Sequence, residues 1–261
     1  MKQITSRDNS LYKELKQLAT SASARKKSAR SVLDGVHLCQ AYLQHRGAPQ
    51  ICVVSESCLS HPEVAAIIAR CLALAASCIS LPDALYQAIS QVENGVGIVF
   101  VIAMPHTQVT STLQKNAVVL DGLQDPGNLG SILRSAAGAG IEQVYCSAGT
   151  VSAWSPKVLR AGMGAHFLLE IFETVDLPAL LSQTKIPVLA TSSHTEKTIY
   201  QIDLNRPVAW LFGHEGQGVD PALMGLASET VTIPQRAEIE SLNVAASAAI
   251  CFFEQVRQRL A

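Results

Sequence analysis

Three segments in the C-terminal half hold the residues best suited to chemistry: NLGSILR at 128–134, FGHEGQG at 212–218 and IPQRAEIESLNVAA at 233–246. Each has an apolar stretch before or within it, and each brings glycine, amide, hydroxyl or guanidinium groups together. Loops of that composition line ligand crevices at the carboxyl ends of sheet strands. In the first segment Asn128 is a favoured helix N-cap, and Gly127 and Gly130 let a ligand approach the backbone closely. Arg134 either sits on a wetted helix face with Ser131 and Ser135 or meets an anion near the helix start. In the second, Gly213, Gly216 and Gly218 follow the apolar run VAWLF, so something packs against the main chain there. Glu215, the sole acid of that loop, is a turn anchor or a ligand contact. In the third, Ser241 and Asn243 are both capping types for a final helix.

The elements that must position these residues follow from apolar periodicity. Helices are expected at 10–19, 35–46 and 63–76 and from Pro82, with strands at 50–55, 97–103 and a short CISL stretch between them. GIVFVIA at 97–103 is nearly all apolar, as in a strand buried on both faces. The segment 104–116 then loses periodicity and reads as a linker. A second alternation places strands at 117–123, 143–147, 166–172, 187–192, 207–212 and 230–234, with helices between them. Asp220-Pro221 supplies an N-cap and a first-turn proline. A last helix over about 243–258 has Ala245, Ala248, Ala249, Phe252 and Val256 on one stripe. The fold class is α/β: a smaller N-terminal unit, and a larger C-terminal unit on a mostly parallel sheet.

Composition narrows the function. Of the 261 residues 48% are hydrophobic and 16% charged, so a large core is available and disorder is excluded. No apolar run is long enough to span a bilayer, and the first residues carry no secretory apolar segment. The seven cysteines form no CxxC pair and the seven histidines no HExxH, so no metal site is expected and reduced thiols in the cytoplasm are. Net charge is −1, yet residues 1–48 carry nine Lys/Arg against three acids, a local +6 that leaves −7 on the remainder. A basic N-terminal part, with Arg25-Lys26-Lys27 and Arg30 at its centre, fits a phosphate backbone. A nucleotide-dependent oxidoreductase is disfavoured, because the glycines at 213, 216 and 218 are spaced GxxGxG rather than GxGxxG.

The three segments together resemble the signature motifs of the TrmH-like (SpoU) RNA 2′-O-ribose methyltransferases of the SPOUT superfamily. NLGSILR matches N-x-G-x-x-x-R, FGHEGQG matches the Gly-x-Glu-x-x-Gly loop, and the third matches the I-P…S-L-N-V run. Gln235, Arg236 and Ala237 depart from the pattern, which has Met and Gly after the proline. The resemblance implies a trefoil-knotted SPOUT domain at 117–261, a linker at 106–116, and an L30e-like RNA-binding domain at 1–105. Asp34-Gly35 stands in that domain where Glu-Gly is usual. It further implies S-adenosylmethionine held near Thr191, Ser192, Gly213, Gly218, Ile233 and Leu242. Arg134, Asn128, Glu215, Ser241 and Asn243 would serve catalysis, in a homodimer packed through the knot. Ribosomal RNA is the first expected substrate and transfer RNA the second; a catalytically silent RNA-binding paralogue is the rival reading.

Overall fold

The computed structural model describes residues 1–92, 95–105, 112–236 and 238–260. Residues 106–111 of the expected linker, and Ala237 among the departures from the motif, lie outside the described residues. The chain forms two compact units, the first made of residues 1–106 and 154–167, the second of 107–153 and 168–261.

The first unit runs β1 (Lys2–Gln3), α1 (Ser10–Thr20), α2 (Ala22–Ser28), β2 (Arg30–Asp34), α3 (Val36–His45), β3 (Ile51–Ser55), α4 (Pro62–Ala73), β4 (Ser77–Leu81), α5 (Asp83–Tyr86) and β5 (Ile98–Ala103). Its sheet order is β1-β4-β3-β5-β2, with β2 and β3 both antiparallel to β5. The apolar run of β5 is buried from Ile98 to Ile102, as in a strand covered on both faces. Two elements have weak sequence signals. β2 offers only Val32 and Leu33 as apolar residues and is held as a strand by its register with β5. α2 is capped by Ser21, whose side chain accepts from the Ala24 amide, and stops at Ala29 in the left-handed region (φ 51°).

The second unit contains β6 (Ala117–Leu120), α6 (Pro126–Gly138) and β7 (Gln143–Ser147). Then comes the 154–167 stretch, with α7 (Pro156–Gly162), which clusters with the first unit. A single linker at 106–116 does not describe that return of the chain. The second unit resumes with β8 (Glu170–Val175), α8 (Leu177–Ser182), β9 (Val188–Thr191), β10 (Ala209–Phe212), α9 (Pro221–Met224), β11 (Glu229–Val231) and α10 (Val244–Leu260). Its sheet is parallel throughout, ordered β11-β9-β10-β6-β7-β8. The strand expected at 166–172 starts later, at Glu170, because Ala165–Phe167 form a 3₁₀ turn and Phe167 packs edge-on to Tyr42 at 5.3 Å. Of the expected α10 stripe Ala248 and Phe252 are buried, whereas Ala245, Ala249 and Val256 are only half-buried, and Cys251, Glu254 and Gln255 complete the buried face instead. Gln255 Oε1 accepts from the Trp210 indole N–H at 3.3 Å, so a polar side chain sits on the face that periodicity reserves for apolar ones.

Candidate active site

In an all-parallel sheet every strand delivers its following loop to the same edge. Here Leu120, Thr191, Phe212 and Val231 end neighbouring strands: Phe212 is in register with Leu120, Leu211 with Ala190, and Val231 with Thr191. The loops beyond them enclose a cleft of about 690 Å³, within the roughly 300–1,000 Å³ usual for small-ligand sites. Asn128, Thr191, Ser192, Gly213, Glu215, Gly218, Ile233, Ser241, Leu242 and Asn243 all line it. The three sequence segments are therefore brought together, with the strand end 191–192 as a fourth wall.

Arg134 is the exception. The first segment was expected to open its helix at Asn128, but Asp125 is the cap: its Oδ1 accepts from the Asn128 amide at 2.8 Å, and Pro126 takes the first helical position. Arg134 thus lies eight residues into α6, about 12 Å along the axis and beyond the reach of the helix N-terminus. It is exposed, has no hydrogen bond or ion pair among the described residues, and does not line the cleft.

Release from capping leaves the Asn128 side chain to do something else. Its Nδ2 donates to Glu215 Oε1 at 3.1 Å, and its Oδ1 accepts from Asn243 Nδ2 at 2.9 Å. Glu215 also accepts from the amides of Gln124 and Asp125, each at 3.1 Å. Partial burial pushes the Glu215 carboxyl up. Hydrogen bonds from Asn128 and from the amides of Gln124, Glu215 and Asp125 outweigh it and hold the group below its ordinary value. Asn243, for its part, is the cap of α10, its Oδ1 accepting from the amides of Ala245 and Ala246 at 3.0 and 3.2 Å. One amide–amide–carboxylate chain therefore joins all three segments.

The glycines have two different uses. A Cβ on Gly213 would stand 2.2 Å from the carbonyl of Gly218 and the nitrogen of Val219, so the close approach here is the loop folding on itself. Reciprocal bonds close it: the His214 amide to the Gly218 carbonyl at 2.9 Å and the Gly218 amide to the His214 carbonyl at 2.8 Å. Gly218 itself has φ +72°, the left-handed region. His214, in the motif but not singled out from sequence, also lines the cleft. Its Nδ1 accepts from the amides of Gly216 and Gln217 at 2.9 and 3.2 Å, which assigns the ring proton to Nε2. Glu240, which lines the cleft too, carried no signal beyond its place in the third segment.

The lining suits a ligand with an apolar body and a polar edge. Ile233 and Leu242 are half-buried, and their main-chain N–H groups have no partner among the described residues. Unspent donors beside apolar side chains are what a heteroaromatic base requires. Among the described residues no three His, Cys, Asp or Glu side chains are grouped to hold a metal ion, and no helix is long and apolar enough to cross a membrane.

Residues 115–253 match the model of the SpoU rRNA methylase family. The chain belongs to that family. It is 33% identical to an uncharacterized tRNA/rRNA methyltransferase of Synechocystis, over 99% of this chain and 94% of that one. It is 29% identical to a 23S rRNA guanosine 2′-O-methyltransferase of Bacillus subtilis, over 97% and 98% of the two chains. Among solved structures, an RNA 2′-O ribose methyltransferase superposes with a TM-score of 0.83 at 30% identity, covering 99% of this chain and 100% of that one. An AdoMet-bound rRNA methyltransferase of Sinorhizobium meliloti gives 0.86 at 25% identity, covering 100% and 99%. The likeness to SpoU relatives therefore extends over both units, beyond the stretch that the family model spans.

Proposed function

We propose that this SpoU-family chain is an S-adenosylmethionine-dependent RNA 2′-O-ribose methyltransferase acting on ribosomal RNA. The observation that carries the proposal is the Asn243–Asn128–Glu215 chain, which fastens three separate loops around one cleft. Thr191, Ser192, Gly213, Gly218, Ile233 and Leu242 are assigned to hold the donor, the free N–H groups of Ile233 and Leu242 against its purine edge. When bound, S-adenosylmethionine supplies the methyl group and a sulfonium that becomes neutral as the methyl leaves.

The protein's own contribution is alignment of the ribose hydroxyl, which can account for much of the lowered barrier. Glu215 is a brace rather than a base, since both its oxygens are already engaged. Arg134 is no base either, because a guanidinium presents only N–H donors and no acceptor. Its role in this reading is to pair with a backbone phosphate beside the target ribose and ease transfer of the hydroxyl proton to a separate acceptor such as solvent water. Ser241 and Asn243 hold the third loop and the RNA.

Arg134 lies outside the cleft of its own chain, which supports a homodimer in which a second copy brings that arginine to the RNA. The reading includes a trefoil knot in 117–261, packing of the dimer through it, an RNA-binding role for residues 1–105, and work in the cytoplasm. Within 1–48 the cations are not equivalent. Arg25 is buried, with Nη1 donating to the Leu18 carbonyl at 2.8 Å, and Arg30 pairs with Glu14. Lys26 and Lys27 are exposed and carry the contact with phosphate.

The test is transfer of a labelled methyl group to ribosomal RNA, alongside transfer RNA, followed by mapping of 2′-O-methyl riboses in cells with and without the protein. Incorporation into a ribosomal RNA ribose that vanishes on deletion is expected. Donor binding without transfer to any RNA would favour the silent paralogue.

A further inference from the structure

A second cavity, of about 170 Å³, lies wholly within the first unit and is separate from the donor cleft. Tyr42, Arg46, Ile102, Met104, Trp154 and Phe167 are among its walls. Three are aromatic and come from distant parts of the chain: Tyr42 from α3, and Trp154 and Phe167 from the returning 154–167 stretch. They are firmly set. Ser31 Oγ donates to the Trp154 carbonyl at 2.6 Å, and Tyr42 meets Phe167 and Phe100 edge-on at 5.3 and 6.4 Å.

The polar groups here are unspent. Neither the Tyr42 hydroxyl nor the Trp154 indole N–H has a hydrogen-bond partner among the described residues, and neither is sealed from solvent. Tyr and Trp so placed ordinarily find a partner. Burial pushes the Tyr42 phenol up, while the nearby Arg46 guanidinium pulls it partly back. Arg46 is exposed and has no ion pair among the described residues. The Met104 amide donates to the Ala29 carbonyl at 2.8 Å, so this wall adjoins the end of α2, where Lys26 and Lys27 are exposed.

We propose that this cavity receives one unstacked base of a single-stranded RNA segment, with the adjoining phosphates on Arg46 and the Lys26-Lys27 end of α2. The aromatic walls supply faces and edges for a planar ring, Tyr42 and Trp154 supply hydrogen-bonding groups for its rim, and the cations supply charge complementarity for the strand. The volume admits one ring system and no more, so the site selects an extruded base over duplex. It rests on the RNA-modifying reading above and adds to it a second grip on the substrate.

The experiment uses the full chain with octauridylate carrying one 4-thiouridine, and with UMP as the free-nucleotide arm. Photo-crosslinks mapped by mass spectrometry should fall on peptides containing Tyr42, Met104, Trp154 or Phe167. Strand affinity should drop about tenfold in Tyr42→Leu, the scale of one lost base stack. In Arg46→Ala, at an exposed position that leaves folding intact, the loss should be several-fold and smaller at high salt. UMP should bind far more weakly than the strand; equal affinity would make the cavity a free-nucleotide site and overturn the proposal. Crosslinks elsewhere with unchanged affinity in Arg46→Ala would overturn it too, while leaving methyl transfer by the wild type as evidence for the broader reading. Absence of any RNA binding or methylation by the wild type would remove both.

Discussion

Asn243 Nδ2 donates to Asn128 Oδ1 at 2.9 Å, across 115 residues of sequence, and thereby sets which way the Asn128 amide points. With Oδ1 facing Asn243, Nδ2 faces Glu215, and the three loops hold one another in register. The direction of these bonds matters. Asn128→Asp keeps the acceptor for Asn243 but puts a carboxylate where the donor to Glu215 stood, about one hydrogen bond from another carboxylate. Asn128→Ala merely removes both bonds at a half-buried position. Asp should therefore be the more damaging change, weakening donor binding by about tenfold or more against a few-fold for Ala. Calorimetry of donor binding with the two variants checks this, and better binding by Asp than by Ala would refute the assigned orientation.

The depressed Glu215 carboxyl makes a pH prediction. A group that holds its proton less tightly folded than unfolded contributes stability above its unfolded pKa of about 4.3, and loses that contribution as the pH falls through the lower folded value. Glu215→Gln abolishes this dependence and replaces one acceptor oxygen with a donor amide facing other donors. Unfolding midpoints of wild type and Glu215→Gln should differ most near neutral pH and converge below about pH 4. A constant difference across that range would show that ionised Glu215 has no role in bracing the loops.

Gly213 offers a steric test. Any Cβ there meets main chain at 2.2 Å, and neither Gly218 nor Val219 can move without breaking the paired His214–Gly218 bonds. Gly213→Ala should cost about 1–3 kcal/mol, a fall of some 2–4 °C in melting temperature per kcal/mol for a chain of this size, with loss of donor affinity. Gly216→Ala is the control. A Cβ there meets only the His214 ring at 3.7 Å, and it should be nearly neutral. Equal effects would mean that the loop is not closed as described.

Much of this was legible in sequence because parallel-sheet strands announce themselves. The β6 and β10 runs are apolar throughout, and the loops after them carry the glycines and amides. What was not legible depended on tertiary partners. Asp125 and Asn128 are equally good caps, and only the closing bond to the Asn128 amide distinguishes them, although Pro126 was a clue. Gln255 disguised the buried face of α10 because its partner, the Trp210 indole, lies 45 residues away. Arg25 read as a phosphate contact within a basic run, yet the bend at Ser21 between α1 and α2 turns its guanidinium onto the Leu18 carbonyl. The base-sized cavity could not be read at all, since two of its three aromatic walls arrive from 154–167.

Arg134 makes the sharpest prediction because the cleft of its own chain does not need it. Arg134→Ala removes an exposed side chain with no partner among the described residues, so stability should change by no more than about 0.5 kcal/mol. Donor affinity should be unchanged too, while methyl transfer collapses. Arg134→Lys keeps the charge but not the forked donor geometry and should recover only a small part of the rate. If the arginine acts on the cleft of a second copy, two inactive proteins can repair one another. Mixed Arg134→Ala and Asn243→Ala subunits would place an intact arginine opposite an intact third loop in one site of each heterodimer. Random exchange should then restore about a quarter of wild-type activity. No recovery after verified exchange of subunits would mean that Arg134 serves its own chain, and that its cleft must rearrange around the RNA to include it.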